Sequence, residues 1–146
     1  MDLKIRKIQE SDRLAVTDMM REFYRSPAVI TCGSEEIFGR NVAECLSERG
    51  VLVGYVFEAS GAVVGYAMTA KSYSTEFGKN CLWIEDIYIK REFRGAGVGK
   101  AFFTLIEREN ADCIFRLEAE AENRPAVDFY RKRGFAPLPY LELIKT

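Results

Sequence analysis

The glycine-rich loop at residues 94–100 is the clearest chemical signal in the sequence. Gly95, Gly97 and Gly99 alternate with other residues, so that backbone N–H groups can approach an anion without a Cβ atom in the way. An amphipathic helix is predicted to follow directly, and the positive end of its dipole would lie beside the same anion. This spacing predicts a binding site for a pyrophosphate group.

Two common nucleotide-binding motifs do not fit this loop. In a Walker A motif that ends at Gly99 and Lys100, Arg94 would replace the first glycine and Ala101 would replace the serine or threonine. In the dinucleotide-binding pattern G-x-G-x-x-G, Lys100 occupies the position of the last glycine. A nucleoside triphosphatase and a dinucleotide-dependent enzyme are therefore both disfavoured.

Two adjacent carboxylates, Glu85 and Asp86, form the second signal. They interrupt an otherwise apolar strand predicted at residues 82–89, although acidic residues are uncommon within strands. The alternation of side chains sends them to opposite faces of a sheet unless a bulge intervenes, so at least one is expected to point inward or into a cleft. A solvated sheet face is the alternative.

Composition narrows the classes of function. The 146 residues fit one domain, residues 1–146, and 48% of them are apolar, which is enough for a packed core. A net charge of −1 disfavours nucleic acid and anionic membranes as partners. No stretch approaches the roughly 18 apolar residues of a membrane span, and the first residues lack a signal-peptide core. A cytoplasmic protein is therefore expected.

The chain contains no histidine, and its four cysteines show no C-x-x-C spacing. We therefore expect reduced, buried thiols and no metal site. The lack of histidine also excludes Ser-His-Asp and Cys-His catalysis. A general base or acid must then be a carboxylate, a tyrosine, a lysine, a cysteine or a chain of water molecules.

The elements that must position these residues are predicted in the order β-α-α-β-β-β-α-β-α-β. Apolar or alternating runs predict strands at residues 3–8, 51–58, 62–70, 82–89, 113–119 and 138–144. Helical spacing and caps predict helices from Ser11 or Asp12 to residue 24, at 35–48 before Gly50, at 98–109, and from Asn123 to Gly134. Residues 71–80 are predicted as a polar turn. The order favours an α/β fold whose mixed sheet is antiparallel at first and partly parallel later, with helices on both faces.

Three segments together resemble the GNAT N-acetyltransferase family. The strand Trp83-Ile84-Glu85-Asp86-Ile87-Tyr88-Ile89 is similar to the family's fourth strand, and the loop fits its Arg/Gln-x-x-Gly-x-Gly/Ala pattern. Residues 123–135 are similar to the family's N-x-x-A-x-x-F-Y-x-x-x-G-F segment. The segments stand in the family's order and spacing over residues 83–135, and the predicted element order extends the resemblance to the whole chain.

The resemblance implies an acyl-CoA site with acetyl-CoA as co-substrate. The fourth and fifth strands of a central mixed, mostly antiparallel sheet are expected to splay apart, with pantetheine in the gap. Its amides would pair with the backbone of Ile87, Tyr88 and Ile89, while Asn123 would flank the pantetheine arm. The pyrophosphate would be held by the loop residues Arg94, Gly95, Ala96, Gly97, Val98, Gly99 and Lys100.

The implied reaction is direct attack of a primary amine on the thioester carbonyl within a ternary complex. Glu85 is the candidate base, acting through water, and Tyr130 is the candidate acid that protonates the departing CoA thiolate. The motifs look most like those of the diamine and polyamine acetyltransferases, in which an acidic strand pair contacts a cationic substrate. Glu85 and Asp86 occupy those positions here. Residues 25–40, which should wall the acceptor pocket, show no pattern that identifies the acceptor.

Other interpretations remain open at this level. The acceptor could be an amine of a protein, an amino acid or an aminoglycoside instead of a small cationic molecule. A wide, exposed cleft would favour a protein, and a closed acidic pocket would favour a small cation. A non-catalytic acyl-CoA-binding or regulatory domain is a further alternative. The apolar segment at residues 138–144 could mediate a homodimer, or it could be an ordinary core strand.

Overall fold

Five strands form one sheet at the centre of the computed structural model, which describes residues 1–146. They are β1 (Leu3–Lys7), β2 (Leu52–Ala59), β3 (Ala62–Ser74), β4 (Lys79–Ile89) and β5 (Ile114–Leu117), and they lie side by side in that order. Neighbouring strands from β1 to β4 are antiparallel, whereas β5 runs parallel to β4. The predicted mixed, mostly antiparallel sheet of an α/β fold is therefore confirmed.

Four helices cover the two faces of this sheet. They are α1 (Arg13–Phe23), α2 (Glu35–Leu46), α3 (Val98–Glu109) and α4 (Arg124–Lys132), with short 3₁₀ turns at Glu10–Asp12 and Arg91–Phe93. On one face, α1 and α2 bury Met20 and Phe38 in a cluster with Tyr66. On the other face, α3 buries Phe102 in a cluster with Phe57. None of the helices is long and apolar enough to cross a membrane.

The β3–β4 hairpin extends into the segment predicted as a polar turn. β3 continues to Ser74 and β4 begins at Lys79, so only residues 75–78 form the turn, with Gly78 at φ 62°. The polar composition of residues 71–80 reflects exposure to solvent instead of a long turn. This end of the hairpin reaches beyond the core, and side chains such as Tyr73 are exposed to solvent.

The strand predicted at residues 138–144 does not form. The segment after α4 has no regular secondary structure and makes no backbone hydrogen bond to the sheet. Pro137 and Pro139 lack the N–H groups that a strand entering the sheet would use. Leu143 is 82% exposed. The prediction is wrong because an apolar composition alone does not supply a pairing partner.

The remaining predicted boundaries differ from the structure by a few residues at most. α2 ends at Leu46 instead of residue 48, and Gly50, at φ 68°, lies in the turn beyond it. α3 covers residues 98–109 as predicted, because Gly97 precedes it in the left-handed conformation at φ 86° and breaks the preceding chain direction.

An ion network ties β1 to β2 and to the start of α1. The Arg6 guanidinium donates two hydrogen bonds to the Asp12 carboxylate, of 2.8 and 2.9 Å, and two to Oε1 of Glu58, of 2.6 and 2.9 Å. Asp12 is 4% exposed and also accepts a hydrogen bond from the backbone N–H of Gln9 at 2.7 Å. The hydrogen bonds from Arg6 hold the pKa of Asp12 below its ordinary value.

Replacement of Arg6 by methionine is expected to lower the free energy of unfolding near neutral pH by about 3 kcal/mol, because it leaves a buried carboxylate without its charged partner. The pKa of Asp12 is lowered in the folded state, so the pair stabilises the fold above the ordinary carboxyl pKa. This contribution disappears as the pH falls through the lowered value. Urea unfolding of both proteins, from neutral pH to about pH 2, should therefore show their stabilities converging.

Arg13→Met is the matched control, because it breaks an exposed ion pair with Glu10. We expect a far smaller loss of stability from it. Equal losses in the two variants, or a difference that does not change with pH, would contradict the role assigned to the buried network.

Candidate active site

β4 and β5 diverge in the middle of the sheet. Their parallel pairing ends at Ile84 and Leu117, whereas β4 continues to Ile89. Residues 86–89 pair with β3 on one side, and their edge toward β5 has no strand partner. This is the splay predicted between the fourth and fifth strands. An unpaired backbone edge of this kind can accept an extended ligand as an additional strand.

A cleft of about 620 Å³ occupies this gap. Its walls come from the end of α1, the segment after α1, β4, the glycine-rich loop and α4. Ten of the residues predicted to bind acyl-CoA line it: Ile87, Tyr88, Ile89, Arg94, Gly95, Gly97, Val98, Gly99, Lys100 and Asn123. Ala96 is exposed and does not line the cleft. Tyr130 lines both this cleft and an adjoining cavity of about 100 Å³, which Glu85 also contacts.

The loop at residues 94–100 presents backbone donors to one end of the cleft. Gly95 and Gly97 have φ values of 77° and 86°, in the left-handed region that favours glycine. The N–H groups from Gly95 to Lys100 donate to no acceptor within the protein, and the first helical bond of α3 runs from the Ala101 N–H to the Gly97 carbonyl at 3.0 Å. Free N–H groups at the start of a helix suit a pyrophosphate.

Arg94 is fixed beside the same end of the cleft. Its Nε donates a hydrogen bond to the Ile89 carbonyl at 2.8 Å, and its guanidinium lies 5.6 Å from the centroid of the Tyr88 ring. The two terminal nitrogens remain available to an anion. The helix behind the loop is held close, because a Cβ atom at Gly99 would approach Phe129 at 3.2 Å. Glycine at this position therefore allows α3 and α4 to pack together.

A β-bulge places the two adjacent carboxylates. The register between β3 and β4 skips Glu85, which is an extra residue without a partner. As a result, Ile84 before the bulge and Ile87 after it both pack on the α3 side of the sheet. Asp86 faces the α1 side, and Glu85 lines the cavity at the gap. The bulge, which the sequence left as an alternative to simple alternation, is present.

Asp86 is buried, with 5% of its surface exposed. Its two carboxylate oxygens accept hydrogen bonds from the hydroxyl groups of Tyr24, at 3.0 Å, and Tyr66, at 2.8 Å. Burial raises the pKa of Asp86, and the two tyrosine hydrogen bonds oppose this shift. Asp86 thus anchors Tyr24 at the end of α1, away from the cavity that Glu85 lines. Its contact with a cationic substrate stays a prediction.

Glu85 and Tyr130 come together in the smaller cavity. Partial burial raises the pKa of Glu85, and the charge of Glu142 adds to the shift. The Tyr130 hydroxyl has no hydrogen-bond partner within the protein, and burial raises its pKa to about 12. It therefore stays protonated at neutral pH and is free to donate to a group in the cleft, which is what the predicted acid requires.

Several residues of the site escaped the sequence analysis. Phe23 and Ala28 form the wall contributed by α1 and the segment that follows it, where no pattern was found. Glu118, the first residue after β5, lines the smaller cavity beside Glu85. An acidic residue at the end of an apolar strand was the available signal for Glu118. Phe23 and Ala28 carried no comparable signal.

The sequence is similar to those of known acetyltransferases. Residues 15–135 match the Acetyltransferase (GNAT) family. The thialysine N-epsilon-acetyltransferase of Sus scrofa is 33% identical over 94% of this chain and 86% of its own length. The glucosamine 6-phosphate N-acetyltransferase of Trypanosoma brucei brucei is 26% identical over 92% of this chain and 89% of its own.

A solved structure shares the fold. A possible acetyltransferase from Clostridium difficile 630 superimposes with a TM-score of 0.83 at 19% identity, covering 99% of this chain and 97% of that one. The family match extends over most of the chain and includes β4, the glycine-rich loop and α4. This protein therefore belongs to the GNAT acetyltransferase family.

Proposed function

We propose that this acetyl-CoA-dependent N-acetyltransferase moves the acetyl group to a primary amine of a small cationic molecule. The observation that carries the proposal is the opposite chemistry of the two ends of the gap. One end offers the free N–H groups of the loop at residues 94–100, and the other holds Glu85 and Glu118 beside Tyr130. An anionic cofactor and a cationic acceptor fit these two ends.

The unpaired edge of β4 connects the two ends. The pantetheine amides would pair with the backbone of Ile87, Tyr88 and Ile89, as an added strand does. The thioester would then arrive where Tyr130 and Asn123 line both the cleft and the smaller cavity. This path supports delivery of the acetyl group to the side of the gap that carries the carboxylates.

The charge of the acceptor end favours some amines over others. The Trypanosoma relative is named for glucosamine 6-phosphate, and a phosphate group would meet Glu85 and Glu118 in this cavity. The negative charges of the phosphate and the carboxylates would repel each other, particularly where the protein excludes part of the water. An amine with a second positive charge would instead gain from the same carboxylates. We therefore favour small cationic amines over phosphorylated ones.

The reaction requires two proton movements. An alkylamine has a pKa of about 10, so it arrives as an ammonium and must lose one proton, here to Glu85 through water, before its nitrogen attacks the thioester carbonyl. N–H groups on the unpaired edge of β4 would stabilise the resulting oxyanion. When the C–S bond breaks, the CoA sulfur takes the Tyr130 proton, and the nitrogen returns its second proton to the tyrosinate.

The raised pKa of Tyr130 is compatible with this role. Burial disfavours the tyrosinate, but the same desolvated cavity also disfavours a free CoA thiolate. The tyrosine hydroxyl and the CoA thiol are therefore both weaker acids in this cavity than in water. Transfer of the proton from the tyrosine to the sulfur then costs less free energy than their pKa values in water suggest.

Thiol release from acetyl-CoA tests the proposal on a panel of amines that includes spermidine, putrescine, lysine, thialysine, glucosamine 6-phosphate, an aminoglycoside and a peptide. We expect turnover with small cationic amines and a much lower kcat/KM for glucosamine 6-phosphate. A preference for the peptide would favour a protein acceptor instead. Binding of acetyl-CoA without turnover on any amine would contradict the proposal.

Replacement of Glu85 by glutamine is expected to lower kcat by roughly 10- to 100-fold, because a carboxylate that accepts the ammonium proton is lost. The Kd of acetyl-CoA should not change, since the loop at residues 94–100 is intact. Steady-state kinetics and equilibrium binding measure the two quantities. Glu109→Gln, at the far end of α3, is the control, and Asp86→Asn tests whether the buried neighbour contributes to the KM of the amine. An unchanged kcat for Glu85→Gln would remove Glu85 from the proton path.

The cytoplasmic location and the possible homodimer predicted from the sequence are part of the same proposal. Leu141, Leu143 and Ile144 form an exposed apolar surface after α4, which a second copy of the chain could cover. Sedimentation velocity over a range of protein concentrations measures the association state. A monomer at every concentration would contradict the homodimer.

A further inference from the structure

Glu118 lies opposite Glu85 at the point where β4 and β5 separate. Ile84 and Leu117 are the last paired residues, so Glu85 and Glu118 are the next residues on the two diverging strands. Both carboxylates line the cavity of about 100 Å³ that Tyr130 also lines. Two acidic groups thus meet where acetyl transfer is proposed.

Charged and titratable groups from each neighbouring element face Glu118. Glu85 comes from β4 and Tyr130 comes from α4, and Glu142 of the C-terminal segment lies beside Glu118. The nearest cation on the same strand is Arg116, two residues earlier. Its guanidinium lies 4.8 Å from the ring centroid of the single tryptophan and forms no salt bridge with a carboxylate. Glu118 therefore has acidic neighbours and no ion-pair partner.

These neighbours change the proton affinity of the two carboxylates. Interaction with the neighbouring carboxyl group of Glu142, together with partial desolvation and the charge of Glu85, raises the pKa of Glu118 to about 7. Burial and Glu142 raise the pKa of Glu85 as well. Near neutral pH Glu118 can therefore hold and release a proton, and the charge of Glu85 adds to its proton affinity. An arriving ammonium favours their ionised form.

We propose that Glu118 is a second catalytic carboxylate, which binds the acceptor ammonium together with Glu85 and takes the proton that this group loses. The inference rests on the proposed function. The proton passes from the ammonium nitrogen to the carboxylate pair, and the freed lone pair of the nitrogen forms the bond to the thioester carbon. Because Glu118 is exposed, it can then release the proton to solvent before the next turnover.

The test is the pH dependence of kcat and kcat/KM with acetyl-CoA and spermidine, or with the panel amine of highest kcat/KM. We expect Glu118→Gln to lower kcat by roughly 10- to 100-fold and to move the acidic limb of the profile to lower pH, because Glu85 then acts without its partner. Glu118→Asp keeps a carboxylate and should recover part of the activity. Glu120→Gln removes a nearby carboxylate that does not line the cavity and should match the wild type.

Each possible result decides the inference. An unchanged kcat and pH profile for Glu118→Gln would overturn it and leave acetyl transfer intact. A lower kcat with an unmoved acidic limb and no recovery in Glu118→Asp would also overturn it, because a merely structural role gives that pattern. A wild-type protein that binds acetyl-CoA but acetylates no amine would overturn the proposed function first. This last case is recognised because the wild-type protein itself shows no turnover.

Discussion

Replacement of Tyr130 by phenylalanine is expected to lower kcat by roughly 10²- to 10⁴-fold, the range that positioned acid–base groups contribute. Its hydroxyl has no partner within the protein, and its pKa of about 12 keeps it protonated at neutral pH. Without this proton, the CoA sulfur must leave as a bare thiolate in a partly desolvated cavity, which is costly. The loss should therefore fall on the chemical step.

Packing should survive this substitution. The Tyr130 ring lies 6.0 Å from each of the rings of Phe103 and Phe135, and phenylalanine keeps the same ring there. The Kd of acetyl-CoA, measured by titration calorimetry, is therefore expected to stay near the wild-type value while single-turnover acetyl transfer slows. Tyr73→Phe, on the exposed end of β3, is the matched control and should change neither quantity. A kcat near that of the wild type would leave Tyr130 with a packing role only.

Replacement of Gly97 by valine is expected to weaken acetyl-CoA binding by roughly 30- to 100-fold. A side chain in the left-handed region costs about 1–2 kcal/mol, more for a β-branched residue, and each 1.4 kcal/mol or so is a factor of about ten in Kd. Gly97 has φ 86°, and a Cβ atom there would meet nothing within 4 Å. The effect should thus come from a changed backbone, which turns the free N–H groups of the loop away from the pyrophosphate.

Gly78 provides a control with the same backbone constraint. It lies in the β3–β4 turn at φ 62°, where a Cβ atom would also meet nothing within 4 Å, and it is far from the cleft in the chain. Gly78→Val should lower the Tm to a similar degree and leave the Kd of acetyl-CoA unchanged. Normal binding by Gly97→Val would contradict the assignment of the loop as the pyrophosphate site. Equal loss of binding in both variants would show a global effect instead.

The conformation of the loop at residues 94–100 was predictable because its signals are local. Residues 94–100 carry their own conformation: Gly95 and Gly97 supply the left-handed residues, and the amphipathic helix begins directly after them. The apolar strand before the loop and the helix after it agree with the same arrangement. When neighbouring segments all favour one structure, the local structure can be predicted without knowledge of distant contacts.

The proposed acceptor half of the site was less predictable because distant segments assemble it. Glu85, Glu118 and Glu142 come from β4, from the end of β5 and from the C-terminal segment, and no spacing along the chain relates them. Glu142 was placed in a strand that does not form, and Asp86 proved to be buried against Tyr24. The role of such residues depends on strand register and on packing, which composition does not specify.

The bulge at Glu85 separates the choice of side chain at the gap from the hydrophobic pattern of β4. In a regular strand a change in one usually disturbs the other. Ile84 and Ile87 occupy the α3 side and Asp86 the α1 side, which is the arrangement a strand would have if Glu85 were absent and its neighbours joined directly. The acidic residue is thus carried by a one-residue insertion that the hydrophobic pattern does not require. Mutation can change the side chain at this position while the core on both faces of the sheet keeps its residues and its register. With the role proposed for Glu85, substrate preference can therefore diverge here at little cost in folding.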